Sequence, residues 1–279
     1  MRFPRHRVLA GAAVGAGALA YAVLIEPRRL VVREIVLHPP GWPSALDGLR
    51  VGVLADIHAG GPGANAARVR HVVARLNAAA PDLVVLPGDF TDPDVLFGEW
   101  TEPEPIARAL GELRASLGRF AVLGNHDWIN HAARLQRALR DAGIEILEDR
   151  ALALDAPAPL WVAGFGDFRT RAPDPAAALA AVPDDAAVIA VTHDPDLFPR
   201  VPSRVALTVA GHLHGGQIAI PLLWRLKTPT LFGGRYRVGV VEELGRLLYV
   251  SSGVGQAGLP LRFGMPPEVA VLELRASGP

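Results

Sequence analysis

Five short apolar runs lie along the chain, and each is followed within two residues by glycine or by a side chain that can bind metal. Runs of about four to eight apolar residues are typical of buried β-strands. Between them, apolar residues recur at helical spacing within 69–76, 106–117 and 135–142. This alternation predicts an α/β domain with buried sheets. The runs are residues 51–55, 83–86, 120–123, 188–191 and 205–210.

The two ends of the chain add further strands. Residues 30–38 alternate in polarity and stop at Pro39-Pro40-Gly41, which predicts a strand. The last third predicts three strands without long helices between them, at 236–241, 247–250 and 269–274. These strands indicate a second sheet that is more antiparallel than the one formed by the alternating strands and helices. Because no repeat or low-complexity linker divides the body, a single domain over 45–279 is the economical division.

Charge and composition exclude several classes of function. The chain has 279 residues with 28 basic and 28 acidic side chains, so its formal net charge is zero and nucleic acid is not the expected partner. It contains no cysteine, which excludes disulfides, thiolate catalysis and zinc–thiolate sites. The 9 histidines are therefore the main candidates for metal binding and acid–base chemistry.

Residues 1–29 are expected to be a membrane anchor or a signal segment. Three arginines precede an uncharged stretch over 8–25, whose length is at the lower limit for a helix that spans a bilayer. We expect an uncleaved anchor, because the apolar run continues to a polar stop at 26–29. A cleavable signal peptide is the alternative, since Ala18-Leu19-Ala20 matches a cleavage site. Arginines flank both sides, so they do not determine the orientation.

Two pairs of potential metal ligands stand at strand ends. Asp56 and His58 are two residues apart, which in an extended strand sends both side chains to one side. By itself this pair is weak evidence, and chance or a structural hydrogen bond explains it better than a metal site. His212 and His214 are flanked by glycines and can serve two adjacent metal ions, an arrangement that is harder to explain structurally.

Three further strand ends carry single candidates. Gly88 allows a sharp turn that brings the Asp89 carboxylate toward the neighbouring strand. Asn125 can offer an amide oxygen to a metal while His126 stays free, although an Asx turn is an equal alternative for this segment. His193 after a strand is uninformative alone. Together, these elements favour a metal site over a purely structural role.

In this order, the motifs resemble those of the calcineurin-like metallophosphoesterase family, and in particular its membrane-associated bacterial branch. The resemblance covers nearly everything after residue 45 and includes the Gly-Gly-Gln continuation at 215–217 and the stretch 250–268. It implies a four-layer α/β/β/α sandwich of two mixed sheets with a dimetal site at the C-terminal ends of strands. The matching motifs are Asp56-Ile57-His58, Gly88-Asp89, Gly124-Asn125-His126-Asp127, His193 and Gly211-His212-Leu213-His214.

The resemblance also implies a role for each of these residues. His126 would face the substrate and donate a proton or hydrogen bond to the leaving oxygen, and Asp127 would orient its imidazole. Asp89 would bridge two metal ions. The first ion would be held by Asp56, His58 and His214, and the second by Asn125, His193 and His212.

The expected chemistry is hydrolysis of a phosphoester. Two divalent ions about 3.5–4 Å apart can clamp a phosphoryl group and supply a bridging hydroxide as nucleophile. Nitrogen and oxygen ligands without thiolate suit Mn, Fe or Zn, and the resemblance favours Mn. The substrate would be a phosphodiester, a phosphomonoester or a lipid-linked pyrophosphate. The alternative is a membrane-anchored metal-binding scaffold without turnover, against which the intact His126-Asp127 pair argues.

A lipid or envelope-derived substrate is suggested by the apolar residues and cations after the last histidine motif. Trp224 among Arg225 and Lys227 could form a lid for such a substrate, although ordinary loop packing explains the segment at least as well. We expect a monomer at the cytoplasmic membrane, with the catalytic domain outside the cytoplasm. Four arginines are candidate phosphate contacts. They are Arg169, Arg171, Arg235 and Arg262.

Overall fold

The computed structural model describes residues 5–220 and 228–276, which build two six-stranded sheets packed face to face. Helices cover the outer face of each sheet, as expected for a four-layer α/β/β/α sandwich of two mixed sheets. The strands are β1 (Val31–Leu37), β2 (Leu49–Val53), β3 (Leu83–Leu86), β4 (Arg119–Ala121), β5 (Glu145–Ile146), β6 (Arg150–Leu154), β7 (Leu160–Gly164), β8 (Ala187–Val191), β9 (Leu207–Ala210), β10 (Gly239–Glu243), β11 (Arg246–Val250) and β12 (Glu268–Leu274). The α-helices are α1 (Arg5–Ala20), α2 (Ala66–Ala78), α3 (Pro103–Leu110), α4 (Asn125–Ile129), α5 (Ala132–Asp141) and α6 (Pro175–Ala178).

The first sheet has the strand order β1-β12-β2-β3-β4-β5. Strands β2 to β5 run parallel to one another, so their carboxyl ends meet at one edge. Strand β12 is antiparallel to β2 and parallel to β1. Ligands bind at the carboxyl ends of parallel strands in open α/β sheets, and the metal-binding motifs follow β2, β3 and β4 at this edge.

The second sheet has the order β10-β11-β9-β8-β7-β6, with a parallel centre and an antiparallel pair at each edge. The expectation that the last three strands indicate a second, more antiparallel sheet is therefore confirmed for two of them and wrong for the third. Strands β10 and β11 do join the second sheet, but β12 inserts into the first sheet between β1 and β2. This pairing joins distant parts of the chain, which local apolar patterning does not specify.

Alternation along the strands divides the core into layers. In β3, Leu83 and Val85 face the second sheet, whereas Val84 and Leu86 lie under the helices. All four are completely buried, which explains why this strand reads as one apolar run. Helix α2 buries the predicted stripe of valines and Leu76 against the same outer face. Helix α3 ends at Leu110, so the helix predicted over 106–117 is shorter than its apolar stripe.

The N-terminal segment packs on the body of the domain. Helix α1 continues through a π-turn into a 3-10 turn that ends at Arg28. The Ala22 carbonyl accepts a hydrogen bond from the Arg262 amide, and the buried Glu26 carboxylate accepts one from the Gly264 amide. Strand β1 pairs with β12 along its whole length, so the first sheet includes residues ahead of position 45.

Over residues 5–220 and 228–276, we find no helix with both the length and the apolar character needed to cross a membrane.

Removal of β1 should destabilise the first sheet. A chain that starts at residue 39 exposes the unpaired edge of β12 and loses the ion pair between Arg33 and Glu268. We expect it to aggregate and to unfold at a lower temperature than a chain that starts at residue 30, which keeps the strand. Thermal unfolding and size-exclusion chromatography measure both effects. Equal unfolding temperatures for the two chains would contradict a structural role for β1.

Candidate metal centre

The seven predicted metal-binding residues converge where the carboxyl ends of strands from both sheets meet. The first sheet contributes the segments after β2, β3 and β4, and the second contributes those after β8 and β9. Because these strands are parallel neighbours within each sheet, the segments that follow them lie side by side. The residues brought together are Asp56, His58, Asp89, Asn125, His193, His212 and His214.

Asp56, His58 and His214 form one buried three-ligand cluster, and each offers a ligand atom within 4.8 Å of the others. The Nε2 atoms of His58 and His214 are 3.0 Å apart. The Asp56 Oδ2 atom is buried and has no hydrogen-bond partner among the described residues. This group matches the first ligand set expected from the sequence.

Asp89, His193 and His212 form a second buried cluster beside the first. His193 Nε2 lies 3.0 Å from His212 Nδ1 and 3.2 Å from the amide oxygen of Asn125. The Asp89 Oδ2 atom is 3.2 Å from His193 Nε2 and 3.4 Å from His58 Nε2. Asp89 therefore lies between the two clusters, where a bridging carboxylate is expected.

The donor chemistry of both clusters fits divalent cations. Two facing imidazole nitrogens 3.0 Å apart repel each other when both are bare or both are protonated, and a shared cation removes this conflict. In His193 and His58, the second ring nitrogen has a hydrogen-bonding partner of its own. His193 Nδ1 lies 2.7 Å from the Pro87 carbonyl, and His58 Nδ1 lies 2.9 Å from Asp92 Oδ2. Such partners leave Nε2 free to bind metal.

Left-handed backbone conformation marks most of these residues. Five of the seven have positive φ angles, which cost non-glycine residues roughly 1–3 kcal/mol each. Asp56 and His58 thus lie in a strained turn beyond β2 and not in extended backbone, which corrects the reason given for their shared direction. Gly124 is required by close packing, because a Cβ there would lie 2.1 Å from Asp89 Oδ1. The five ligands with positive φ angles are Asp56, His58, Asp89, His212 and His214.

Burial sets the charge states of the ligands. It raises the pKa of Asp56 to about 6. Burial also opposes ionisation of Asp89, but the charges of His193 and His58 hold the pKa of that carboxyl well below its ordinary value. The pKa of His214 is well below its usual range because of burial and the neighbouring His58 imidazole. Metal binds neutral imidazole and ionised carboxylate, so the shifts at His214 and Asp89 favour binding, whereas the raised pKa of Asp56 opposes it.

His126 borders the clusters without belonging to either predicted ligand set, and its side chain is 26% exposed. Its Nδ1 atom lies 3.2 Å from Asp92 Oδ1, while the other oxygen of Asp92 faces His58. Burial alone would lower the pKa of His126, but the hydrogen bond to Asp92 and the charge of Asp89 outweigh it and raise the pKa to about 9. Bound cations would counter the charge of Asp89, which leaves Asp92 as the group that keeps this imidazole protonated.

Asp127 does not orient His126, and this corrects the role predicted for it. Its Oδ2 accepts hydrogen bonds from the amides of Asp89 and Gly124, and its Oδ1 accepts one from the Phe90 amide. The carboxylate therefore joins the turn after β3 to the turn after β4. Asp92 lacks a motif of its own; the only sequence signal is its place three residues after Asp89 in an otherwise buried turn.

The four candidate phosphate contacts have other partners. Arg262 is completely buried, donates to backbone carbonyls of Ser252, Gly253, Gly255 and Met265, and lies 3.3 Å from His214 Nδ1. Its guanidinium holds the loop of residues 252–265 in place behind the predicted metal ligand His214.

Of the other three, only Arg169 reaches the metal centre, with its Nε 2.8 Å from His212 Nε2 and 2.8 Å from the Asp194 carboxylate. Arg171 stacks on Trp128 and Arg235 pairs with Glu243. The predicted lid around Trp224 lies outside the described residues.

Two adjacent three-ligand clusters that share a carboxylate, with a protonatable histidine beside them, define a dimetal hydrolase site. The chain belongs to the calcineurin-like phosphoesterase family, whose model matches residues 49–216. This span contains both clusters. The protein is a metal-dependent phosphoesterase.

Three relatives are similar to this chain over more residues than the family model matches. The metallophosphoesterase YkuE of Bacillus subtilis is 28% identical over 96% of this chain and 93% of its own. A zebrafish (Danio rerio) protein called transmembrane protein with metallophosphoesterase domain is 29% identical over 90% of this chain, which spans 58% of that protein. The UDP-2,3-diacylglucosamine pyrophosphatase LpxG of Chlamydia trachomatis is 26% identical over 89% of this chain and 90% of its own.

Replacement of Asp92 by asparagine should change the pH dependence of turnover. It removes the anion that faces His126, so the pKa of His126 falls. If protonated His126 supports turnover, activity is lost as the pH rises through this pKa. The alkaline limb of the kcat profile should therefore move to lower pH in the Asp92→Asn variant, as measured by turnover across the pH range.

A second measurement separates this effect from general damage. His58 also loses its partner in Asp92→Asn, so metal affinity should fall by roughly 10–100-fold. The matched control is Asp141→Asn at the exposed end of α5, which should leave both quantities unchanged. An unmoved alkaline limb in a metal-saturated Asp92→Asn enzyme would exclude Asp92 as the proton-holding partner.

Proposed function

We propose that the chain hydrolyses phosphoesters at this centre, with His126 as the proton donor to the leaving oxygen. The observation that carries the proposal is the pair of buried clusters sharing Asp89, with a protonatable imidazole at their open side. Two divalent cations, when bound, neutralise phosphoryl oxygens and activate the attacking water. The six ligands of the two clusters, together with Asn125, would hold them.

The chain's own residues supply the remaining chemistry. Water adds to phosphorus and releases one proton to solvent as the bond from phosphorus to the ester oxygen breaks. The leaving oxygen takes the proton of His126, which returns to its cationic form from solvent through its exposed edge. Asp92 holds the imidazole in place, and Asp127 keeps the turns that carry Asp89 and Asn125 together. These contacts preorganise the donor before substrate binds.

We further propose that the cations are Mn and that the substrate is a lipid-derived or envelope-derived phosphoester. The nitrogen and oxygen ligands, without thiolate, are compatible with Mn and equally with Fe or Zn. The Chlamydia relative is named a UDP-2,3-diacylglucosamine pyrophosphatase, and this name supports a substrate of this kind. Membership of a membrane-associated branch is supported by the name of the zebrafish relative.

We also propose that the protein acts at the cytoplasmic membrane with its catalytic domain outside the cytoplasm. The apolar residues 8–25 support attachment to a membrane. Protease treatment of intact cells tests the orientation, because an extracytoplasmic domain is digested when the outer layers are permeabilised. Protection of the domain until the cytoplasmic membrane is opened would contradict this location.

Two substitutions test the assignment of roles at the centre. His126→Ala should lower kcat on methyl para-nitrophenyl phosphate by about 10²–10⁴-fold with near-normal metal content, because it removes the proton donor and no ligand. Asp89→Asn should lose metal, because it removes the shared carboxylate. Metal analysis and kinetics with added Mn measure both outcomes.

The same assay separates an enzyme from a scaffold. Chelation should abolish turnover of the metal-loaded wild type, and Mn should restore it. Loss of both metals from His126→Ala would overturn its assignment as a proton donor. A fully loaded wild type that hydrolyses neither diesters, monoesters nor pyrophosphates would support the scaffold alternative.

A further inference from the structure

A second cavity lies on the other side of the turn that carries Asp56 and His58. Its volume is about 780 Å³, within the range of roughly 300–1,000 Å³ typical of small-molecule sites. Ile57, between the two metal ligands, lines this cavity, and so does Leu54 just before them. The metal-binding turn therefore forms part of its wall.

The walls of this cavity are mostly apolar and come from four parts of the chain. Helix α2 contributes Val69 and Val72, which are buried. The loop after the metal-binding motifs contributes Leu261, and the segment after α1 contributes Val23. The rim is apolar as well, since Leu24, Leu96 and Phe97 line the cavity and are 57%, 49% and 80% exposed.

Two arginines line the same cavity without acidic partners. Arg68 donates to the Pro27 carbonyl and Arg28 to the Leu24 carbonyl, and neither forms an ion pair within the described residues. Both guanidinium groups belong to the lining of one cavity, and burial and the like charge of Arg28 lower the pKa of Arg68. An anion in this cavity would compensate the two positive charges.

The cavity also adjoins the metal centre. Leu259 lines both this cavity and the cleft that contains His58, Asp89 and His126. The loop that carries Leu259 is held by Gln217, whose side chain donates to the carbonyls of Ala257 and Leu259 and accepts from the Ala257 amide. The cavity and the metal-centre cleft are therefore neighbours at Leu259, close enough for one long ligand to reach both.

We propose that this cavity binds the hydrocarbon chain of an anionic lipid phosphoester whose phosphate lies at the metal centre, and that Arg28 and Arg68 contact a second negative group of the same lipid. The combination of apolar walls, guanidinium groups without acidic partners and adjacency to the metal centre selects an anionic amphiphile over a soluble nucleotide or sugar phosphate. The inference rests on the proposed phosphoesterase function and specifies its substrate class.

Paired substrates that differ only in chain length test the cavity. The wild type should show a higher kcat/KM on hexadecyl para-nitrophenyl phosphate than on methyl para-nitrophenyl phosphate. Ala64→Phe places bulk inside the cavity, because Ala64 lines it. The ratio of the two kcat/KM values should fall about tenfold or more, as for the loss of about two buried methylene groups. Equal falls on both substrates would mean general damage and would overturn the proposal.

A charge substitution at the rim gives a second variant with a matched control. Leu96→Asp places an anion at the cavity mouth and should lower the same ratio. Leu244→Asp changes an even more exposed leucine, 87% exposed, in the turn between β10 and β11 and away from the cavity. It should leave the ratio at the wild-type value. The same ratio in both variants would overturn the proposal.

Binding of hexadecanoate, measured by calorimetry, tests the arginines without turnover. The double variant Arg28→Ala with Arg68→Ala should bind this probe about tenfold more weakly than the wild type. The control is Arg70→Ala on the same helix, since Arg70 pairs with Glu112 and does not line the cavity. Absence of binding to the wild type would overturn the cavity assignment even if the methyl ester is hydrolysed. Binding without any hydrolysis would instead leave the cavity assignment standing and reject the proposed function.

Discussion

The structure depends on a cluster of carboxylates and imidazoles that is buried almost completely between two sheets. Asp56, His58 and His193 are fully buried, and facing ring nitrogens approach to 3.0 Å. Such a cluster is unfavourable in a protein interior unless cations compensate it. The protein therefore holds the ligands at a cost that bound metal offsets, which couples metal binding to folding.

The positions of these ligands depend on hydrogen bonds between the turns as well as on the strands. Positive φ angles at Asp56 and Asp89 are maintained because the surrounding turns are tied together. Asp127 joins the turns after β3 and β4, and Arg262 braces the loop behind His214. Both residues have ionisable side chains that could be mistaken for catalytic groups. Apart from the contact of Arg262 with His214, however, their hydrogen bonds are with backbone groups, and the centre depends on them for its geometry.

How much could be predicted from the sequence differs between the fold and the centre. The layered α/β architecture and most strands follow from local apolar runs, because alternation and strand length are local properties. The hydrogen-bonding partners of His126 and Arg262 do not follow from any local pattern. Asp127 belongs to a motif and Asp92 follows another by three residues. Only the direction of each side chain in the folded turns distinguishes the partner of the imidazole from the partner of backbone amides.

The sequence by itself determined the kinds of ligand, their order and the family to which the chain belongs, because motif residues and their spacing are written in the chain. Only the tertiary structure decided that β12 inserts beside β2, that Asp92 faces His126, and that an apolar cavity with Arg28 and Arg68 adjoins the metal centre. Each of these features joins segments far apart in sequence. Their contacts arise from the packing of two sheets and an N-terminal segment, which no local pattern encodes.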